Sequence, residues 1–336
     1  MRALVWTGPR ALSLQEVPAP RPGPGEALLR PLAVGICGSE LSGYLGENSL
    51  RRPPLIMGHE FCAVVEEAPS GSPYGPGSRV VVNPLLSCGV CALCRRGARN
   101  LCPERRIIGA ARPGAFATLL AVPVSACHPA PSAVEPRLAA MAEPLACALR
   151  AVEQAGTGPG EGVLILGAGA IGLLTLAVLR HAGAGAVWVS DPNPHRLETA
   201  RAWGGIPLPG PEPELRAELG RRTGGLGPDV AVDAVGLTAT RRLALRAVRP
   251  GGRVVFVGLH EPESMLPVNE IVRGETAVAG CFCYRDDTFR RALTLLQEGL
   301  LPEGAWQREG PLEDGPAAFE ELLAGGAAPS KVVLRP

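Results

Sequence analysis

The stretch Val163-Leu-Ile-Leu-Gly167-Ala-Gly169-Ala-Ile171-Gly172 constrains the fold of this chain more than any other. Four apolar residues suited to a buried strand run into a G-x-G-x-x-G turn, and an apolar helical pattern (Ile171–His181) follows. Each glycine has its own physical duty. Gly167 permits the tight turn, Gly169 lets the backbone approach a pyrophosphate, and Gly172 lets the helix pack closely on the strand. The helix N-terminus then offers unpaired N–H groups to the phosphates. Asp191 lies 19 residues beyond Gly172, at the end of the next apolar run. A carboxylate there accepts hydrogen bonds from adenosine ribose hydroxyls and repels a 2′-phosphate, so NAD is favoured over NADP. Arg196 is the residue that could reverse the preference. The cofactor-binding candidates are Gly167, Gly169, Ile171, Gly172, Asp191 and Arg196; a glycine-rich turn without a nucleotide is the alternative. The same glycines break up an uncharged run of 18 residues, Gly162–Leu179, which otherwise reaches the threshold length of a membrane span.

The chain changes texture near residue 148. Before it, short apolar runs (Ala3–Trp6, Ala27–Leu32, Ala63–Val65, Arg79–Val82, Phe116–Val122) alternate with Pro and Gly clusters, which predicts a β-barrel or sandwich. After it, strand-like runs at Val163–Leu166, Ala186–Ser190, Val230–Asp233, Val254–Val257 and Ala277–Ala279 alternate with helical stretches. These lie at Ile171–His181, Pro194–Trp203, Glu212–Arg222 and Thr238–Val248, the pattern of a parallel α/β sheet. Ile206–Leu208, flanked by prolines, is a poor strand. The tail predicts helices near Thr288–Glu298 and Ala317–Leu323 and a strand at Val332–Leu334. A net charge of +1 provides no global field for nucleic acid or an anionic membrane. Lysine is nearly absent: Lys331 is the only one, against 33 Lys and Arg together.

Ten cysteines need an explanation. No secretory leader pattern opens the chain, so a cytoplasmic setting with reduced thiols is expected. Cys88, Cys91, Cys94 and Cys102 place four thiolates within 15 residues, as a closed tetrahedral structural zinc requires; a [4Fe–4S] cluster also takes four cysteines. A second set is dispersed. Cys37, His59, Glu60 and Glu143 provide a thiolate, an imidazole and carboxylates, which suits a catalytic zinc with an open position. Each member alone has an ordinary explanation as a buried small side chain or a solvated polar one. Cys62, Cys127, Cys147, Cys281 and Cys283 fall to packing by default.

Together these residues resemble the zinc-dependent medium-chain dehydrogenase/reductase family. The resemblance spans essentially the whole chain. It rests on Gly35-Ile-Cys37-Gly-Ser39, Gly58-His59-Glu60, the four-cysteine loop, Gly114-Ala-Phe-Ala117, Glu143-Pro-Leu145, the nucleotide fingerprint, Asp233-Ala-Val-Gly236, Arg249-Pro-Gly-Gly252 and the Lys331-Val-Val-Leu ending. Glu143-Pro-Leu stands where simple alcohol dehydrogenases carry a cysteine, so the likeness is to the sorbitol, threonine and sugar-alcohol-phosphate dehydrogenase branch. The resemblance implies a GroES-like β-barrel catalytic domain over residues 1–147, completed by 285–336, and a doubly wound Rossmann domain over 148–284.

It implies further that Cys37 and His59 bind a catalytic zinc and that Glu60 and Glu143 bind the metal or hold its water. Ser39 begins a proton relay, and Tyr44 contacts substrate. Two zinc ions per chain, NAD, a small-molecule alcohol substrate and a homodimer or homotetramer follow from the same likeness. So does hydride transfer from a secondary alcohol to give a ketone. An L-threonine 3-dehydrogenase-type or simple alcohol dehydrogenase, a reductase without catalytic zinc and a non-enzymatic nucleotide-binding regulator are the alternatives. Three departures stand out. Glu40 replaces the usual Asp and is one methylene longer, which predicts a rearranged support of His59. Ser42 stands where a relay histidine is usual, so the proton path ends elsewhere. Ala63 replaces a glycine. Arg51, Arg52 and Arg112 are candidates to meet a substrate phosphate or carboxylate.

Overall fold

Val163–Leu166 forms a strand at the centre of a parallel sheet. The computed structural model describes residues 1–302, 304, 306–326 and 329–336. Among these, six strands lie in the spatial order Ile206–Pro207, Val187–Ser190, Val163–Leu166, Val230–Asp233, Arg253–Phe256, Ala277–Gly280, all parallel. Numbered along the chain this is 3-2-1-4-5-6, the doubly wound order of dinucleotide-binding sheets, with its switch point beside Val163–Leu166. The central strands are buried along their length, which is why they read as continuous apolar runs. Helices Ala170–His181, Pro194–Ala202, Glu212–Arg222 and Thr238–Ala247 fill the crossovers. The poor match at Ile206 is a two-residue edge strand, a place where Pro207 costs no ladder bond.

The chain divides into two compact units. One comprises Met1–Glu143, Arg285–Gly299 and Glu303–Pro336; the other comprises Pro144–Tyr284 and Leu300–Pro302. The first unit is built around a long strand, Glu26–Gly35, which pairs antiparallel with Glu60–Glu67. Its other edge takes Leu120–Pro123 at the start and Lys331–Arg335 at the end. Arg79–Val82 and Cys127–Pro129 extend the sheet one way, and Gln307–Pro311 the other. The core holds Leu4, Leu29, Val34, Phe61, Phe116, Phe319 and Leu334.

Two expectations need correction here. Only Leu120–Pro123 of the run Phe116–Val122 is a regular strand. The preceding residues instead lie across Ile56–Gly58, with the N–H groups of Gly114, Ala115 and Phe116 donating to the carbonyls of Ile56, Gly58 and Met57 at 2.8–3.0 Å. The helix Ala142–Ala155 is not among the elements expected above, although its residues do segregate: Arg150, Glu153 and Gln154 lie on one side and the buried Leu145, Ala148, Leu149 and Val152 on the other. No helix among the described residues is long and apolar enough to cross a membrane.

Candidate functional site

The strand Glu26–Gly35 ends two residues before Cys37, which caps the short helix Gly38–Tyr44 in an extended conformation. Glu40, in the first turn, folds back. Its carboxylate accepts the Cys37 N–H at 3.0 Å and the Gly58 N–H at 2.8 Å, and His59 Nδ1 donates to it at 2.8 Å. The longer side chain thus reaches His59 directly. One buried carboxylate ties the helix start to the histidine loop and occupies His59 Nδ1, leaving Nε2 as the ring nitrogen not held by Glu40. Burial alone raises the Glu40 carboxyl, but His59, Arg51 and the Cys37 N–H outweigh it and hold it below the usual carboxylate range. Burial disfavours the charged His59 ring, yet Glu40 and Cys37 overcome this and raise it well above the ordinary imidazole value.

Ligand atoms of Cys37, His59 and Glu60 lie within 4.8 Å of one another. Glu60 is also paired with Lys331, and both are buried. Ser39 Oγ is 3.5 Å from Cys37 Sγ. Glu143 is buried in the first turn of Ala142–Ala155 and is not among the grouped ligand atoms. Tyr44 has a different occupation from the one expected. Its hydroxyl donates to Glu320 at 2.7 Å, its ring packs edge-on against Phe319, and burial with the Glu320 hydrogen bond pushes its pKa up to about 12. These contacts tie the helix Gly38–Tyr44 to the helix Gly315–Ala324.

Cys88, Cys91, Cys94 and Cys102 form the second group within 4.8 Å. Their Sγ atoms stand 3.5 Å (Cys88–Cys102), 3.9 Å (Cys88–Cys94) and 4.0 Å (Cys91–Cys102) apart. A disulfide needs about 2.05 Å. Tetrahedral zinc with bonds of about 2.3 Å separates its sulfurs by roughly 3.8 Å, so the spacing fits the metal. The N–H groups of Val90 and Cys91 lower the Cys88 thiol to about 7, while burial raises Cys94 to about 11. All ten cysteines are free of disulfides; Cys62, Cys127 and Cys281 are buried and their thiols are raised by burial. Cys147 and Cys283 are half-buried.

In the parallel-sheet unit, Gly167 has φ +96°. A Cβ on Gly172 would lie 1.8 Å from Gly167 O, whereas one on Gly169 would meet nothing within 4 Å. The turn is thus closed at Gly172 and open at Gly169, as a pyrophosphate requires. Ile171 is half-buried in the first helical turn. Asp191 Oδ2 accepts the Ala168 N–H at 2.7 Å, Oδ1 accepts the Asn193 N–H at 2.8 Å, and Arg196 Nη1 stands 3.9 Å away. Among the three arginines considered for anions, Arg112 is paired with Glu26, Arg51 is buried on Ser39, and Arg52 is exposed.

The contacts of Lys331 with Glu60 and of Arg51 with Ser39 are not foreseen from the sequence motifs. The signal for Lys331 is its singularity in an arginine-rich chain; Arg51 gives none.

Residues 23–132 match the family model described as alcohol dehydrogenase GroES-like domain, and residues 170–298 that described as zinc-binding dehydrogenase. An L-idonate 5-dehydrogenase of Vitis vinifera is 33% identical over 96% of this chain and 91% of its own length. An L-threonine 3-dehydrogenase of Pyrococcus horikoshii is 37% identical over 81% of this chain and 80% of its own. A solved chain from Sinorhizobium meliloti 1021 with NADP bound superposes with a TM-score of 0.91 at 32% identity, covering 100% of this chain and 99% of that one. The chain belongs to the zinc-dependent medium-chain dehydrogenase family, in its polyol and threonine dehydrogenase branch.

Proposed function

We propose that this enzyme oxidises a secondary alcohol to a ketone with NAD, using one catalytic and one structural zinc per chain. The observation that carries the reading is the trio of half-buried Cys37 and buried His59 and Glu60, with His59 oriented by Glu40. Thiolate, imidazole and carboxylate make a three-ligand set with room for substrate, and the four-sulfur loop makes a closed one. When bound, the catalytic zinc supplies a Lewis acid for the substrate oxygen and the nicotinamide accepts the hydride.

The chain's own residues do the rest. Cys37 and His59 hold the metal, and Glu60, in preference to Glu143, supplies the carboxylate. Glu40 fixes the ring so that Nε2 faces inward. Ser39, in reach of the ligand sulfur, takes part in moving the substrate's proton. Ser42 turns back toward the Gly38 carbonyl, so the proton leaves to water instead of a histidine. Asp191, pinned beside the glycine turn, favours NAD over NADP. The unit of Met1–Glu143, Arg285–Gly299 and Glu303–Pro336, close to the expected 1–147 with 285–336, is the catalytic domain, and the unit of Pro144–Tyr284 and Leu300–Pro302, close to the expected 148–284, binds the dinucleotide.

L-Idonate and L-threonine both carry a secondary alcohol on a chain with a carboxylate, so a polyhydroxy or amino hydroxy acid is the first substrate class, ahead of a neutral polyol. The strand Ala277–Gly280 has a free edge among the described residues, near exposed Val268, Val272 and Val278, which supports a homo-oligomer. Ten unlinked thiols accord with a cytoplasmic protein.

Zinc analysis with a substrate panel tests the proposal. Two zinc ions per chain and NAD reduction with a secondary alcohol are the expected results. Cys37→Ala loses one zinc and turnover but keeps the other. Normal turnover in Cys37→Ala would show instead a reductase without catalytic zinc, and one zinc in the unaltered chain would show either that reductase or a nucleotide-binding regulator.

A further inference from the structure

Arg51 is 6% exposed and its guanidinium donates twice to one residue. Nη1 reaches the carbonyl oxygen of Ser39 at 3.0 Å and Nη2 reaches its Oγ at 3.2 Å. Asn48 Nδ2 donates to the same carbonyl at 3.4 Å, and the Arg51 N–H closes a turn onto the Asn48 carbonyl at 3.1 Å. The helix Gly38–Tyr44 is notched to admit the side chain: a Cβ on Gly43 would stand 2.5 Å from Arg51 Cδ. Arg51 Nε is buried without a hydrogen-bond partner. A buried guanidinium with an unpaired donor is costly, and this one is directed at a single serine.

The chemistry of the contact restricts Ser39. Arginine is donor-only and keeps its proton. Once Nη2 occupies one acceptor site of Oγ, the hydroxyl cannot turn its own proton toward Arg51. Its remaining reach is toward Cys37 Sγ, 3.5 Å away, and so into the metal-ligand group. A hydroxyl that accepts from a cation is also a stronger donor. We propose that Arg51 is a positioning residue: it locks the Ser39 hydroxyl in the orientation that meets the substrate oxygen as negative charge develops there. This rests on the dehydrogenase reading above.

The test compares Arg51→Met, Arg51→Lys, Ser39→Ala and the double variant Arg51→Met/Ser39→Ala in the full zinc-loaded chain. Arg51→Met keeps two zinc ions, leaves KM within about twofold, and lowers kcat about 10- to 100-fold, the scale of a misplaced catalytic group. Arg51→Lys keeps the charge with a single reaching donor and recovers part of the loss. In the Ser39→Ala background, Arg51→Met changes kcat by less than about twofold, because its effect passes through the missing hydroxyl. Additive losses overturn the proposal. So does loss of a zinc ion in either Arg51 variant, or a rise in KM for carboxylate-bearing substrates with kcat unchanged, which would make Arg51 an anion anchor. No turnover in the unaltered chain with both zinc ions bound overturns the dehydrogenase reading and this assignment with it; additivity overturns only the assignment.

Discussion

Lys331, the single lysine of the chain, is buried in an ion pair with Glu60. The two residues sit on strands that flank opposite edges of Glu26–Gly35. Burial disfavours the Lys331 ammonium, but Glu60 and Cys37 outweigh it and raise the group above its ordinary value, so the ammonium keeps its charge at neutral pH. Removing one partner leaves the other charge uncompensated. Lys331→Met is expected to destabilise the protein by about 3–5 kcal/mol, and Lys331→Met/Glu60→Gln to recover much of that loss. Chemical denaturation of the three proteins measures both; an unshifted midpoint in Lys331→Met would mean that the pair holds nothing together.

The same pair marks how far the sequence can be read. The glycine turn, Asp191 and the four-cysteine loop are legible because each puts its chemistry on a short contiguous stretch whose local geometry is nearly forced. Cys37, His59 and Glu60 are brought together by the pairing of Glu26–Gly35 with Glu60–Glu67, which spacing cannot show; family likeness supplies them. Lys331 reaches Glu60 across 271 residues, and Arg51 reaches Ser39 through a notch at Gly43. Neither contact leaves a local pattern. Tyr44 escapes a sequence reading for the complementary reason: the partners that absorb its hydroxyl and ring, Glu320 and Phe319, lie far along the chain.

Gly169 and Gly172 should fail differently. Gly172→Ala drives a Cβ into Gly167 O and parts the helix from the turn, so it costs about 1–3 kcal/mol of stability as well as NAD binding. Gly169 has φ −71°, which any residue can adopt, and open space at its Cβ position. Gly169→Ala is therefore expected to leave the melting temperature unchanged while weakening NAD at least about tenfold, the loss of one good phosphate hydrogen bond. Melting curves with and without NAD separate the two. A destabilised Gly169→Ala would place that methyl against protein.

Asp229 couples the parallel-sheet unit to acid. Its carboxylate accepts Arg249 Nε at 2.7 Å and the Gly162 N–H at 2.8 Å. Burial acts to raise it, but Arg249, the Gly162 N–H and Arg253 outweigh this and lower it below 3.8. A depressed carboxylate stabilises the fold at pH above its unfolded value, and the contribution is lost as pH falls through the folded value. Asp229→Asn is therefore expected to be less stable than the parent at pH 7, by about 1–3 kcal/mol, and the difference to shrink progressively as the pH falls below 3.8. Denaturation midpoints measured from pH 7 downward through pH 3.8 give the comparison; a difference that does not narrow as the pH falls would assign the effect to packing.

Asp191 and Arg196 put opposite charges on one small stretch, and on the NAD reading proposed above they set coenzyme choice. The Ala168 and Asn193 N–H groups hold the Asp191 carboxylate in place, so it cannot swing away from an incoming 2′-phosphate, and Arg196 is near enough to share its charge. In Asp191→Ser the repulsion is gone and Arg196 is released. The ratio of kcat/KM for NAD over NADP is expected to fall at least about tenfold, the scale of a single charge-assisted hydrogen bond. Adding Arg196→Met should abolish the improvement with NADP without restoring NAD. If the unaltered chain already prefers NADP, Arg196 outcompetes Asp191 and the carboxylate serves the glycine turn through Ala168 alone; the Arg196→Met single variant would then show the preference reversed.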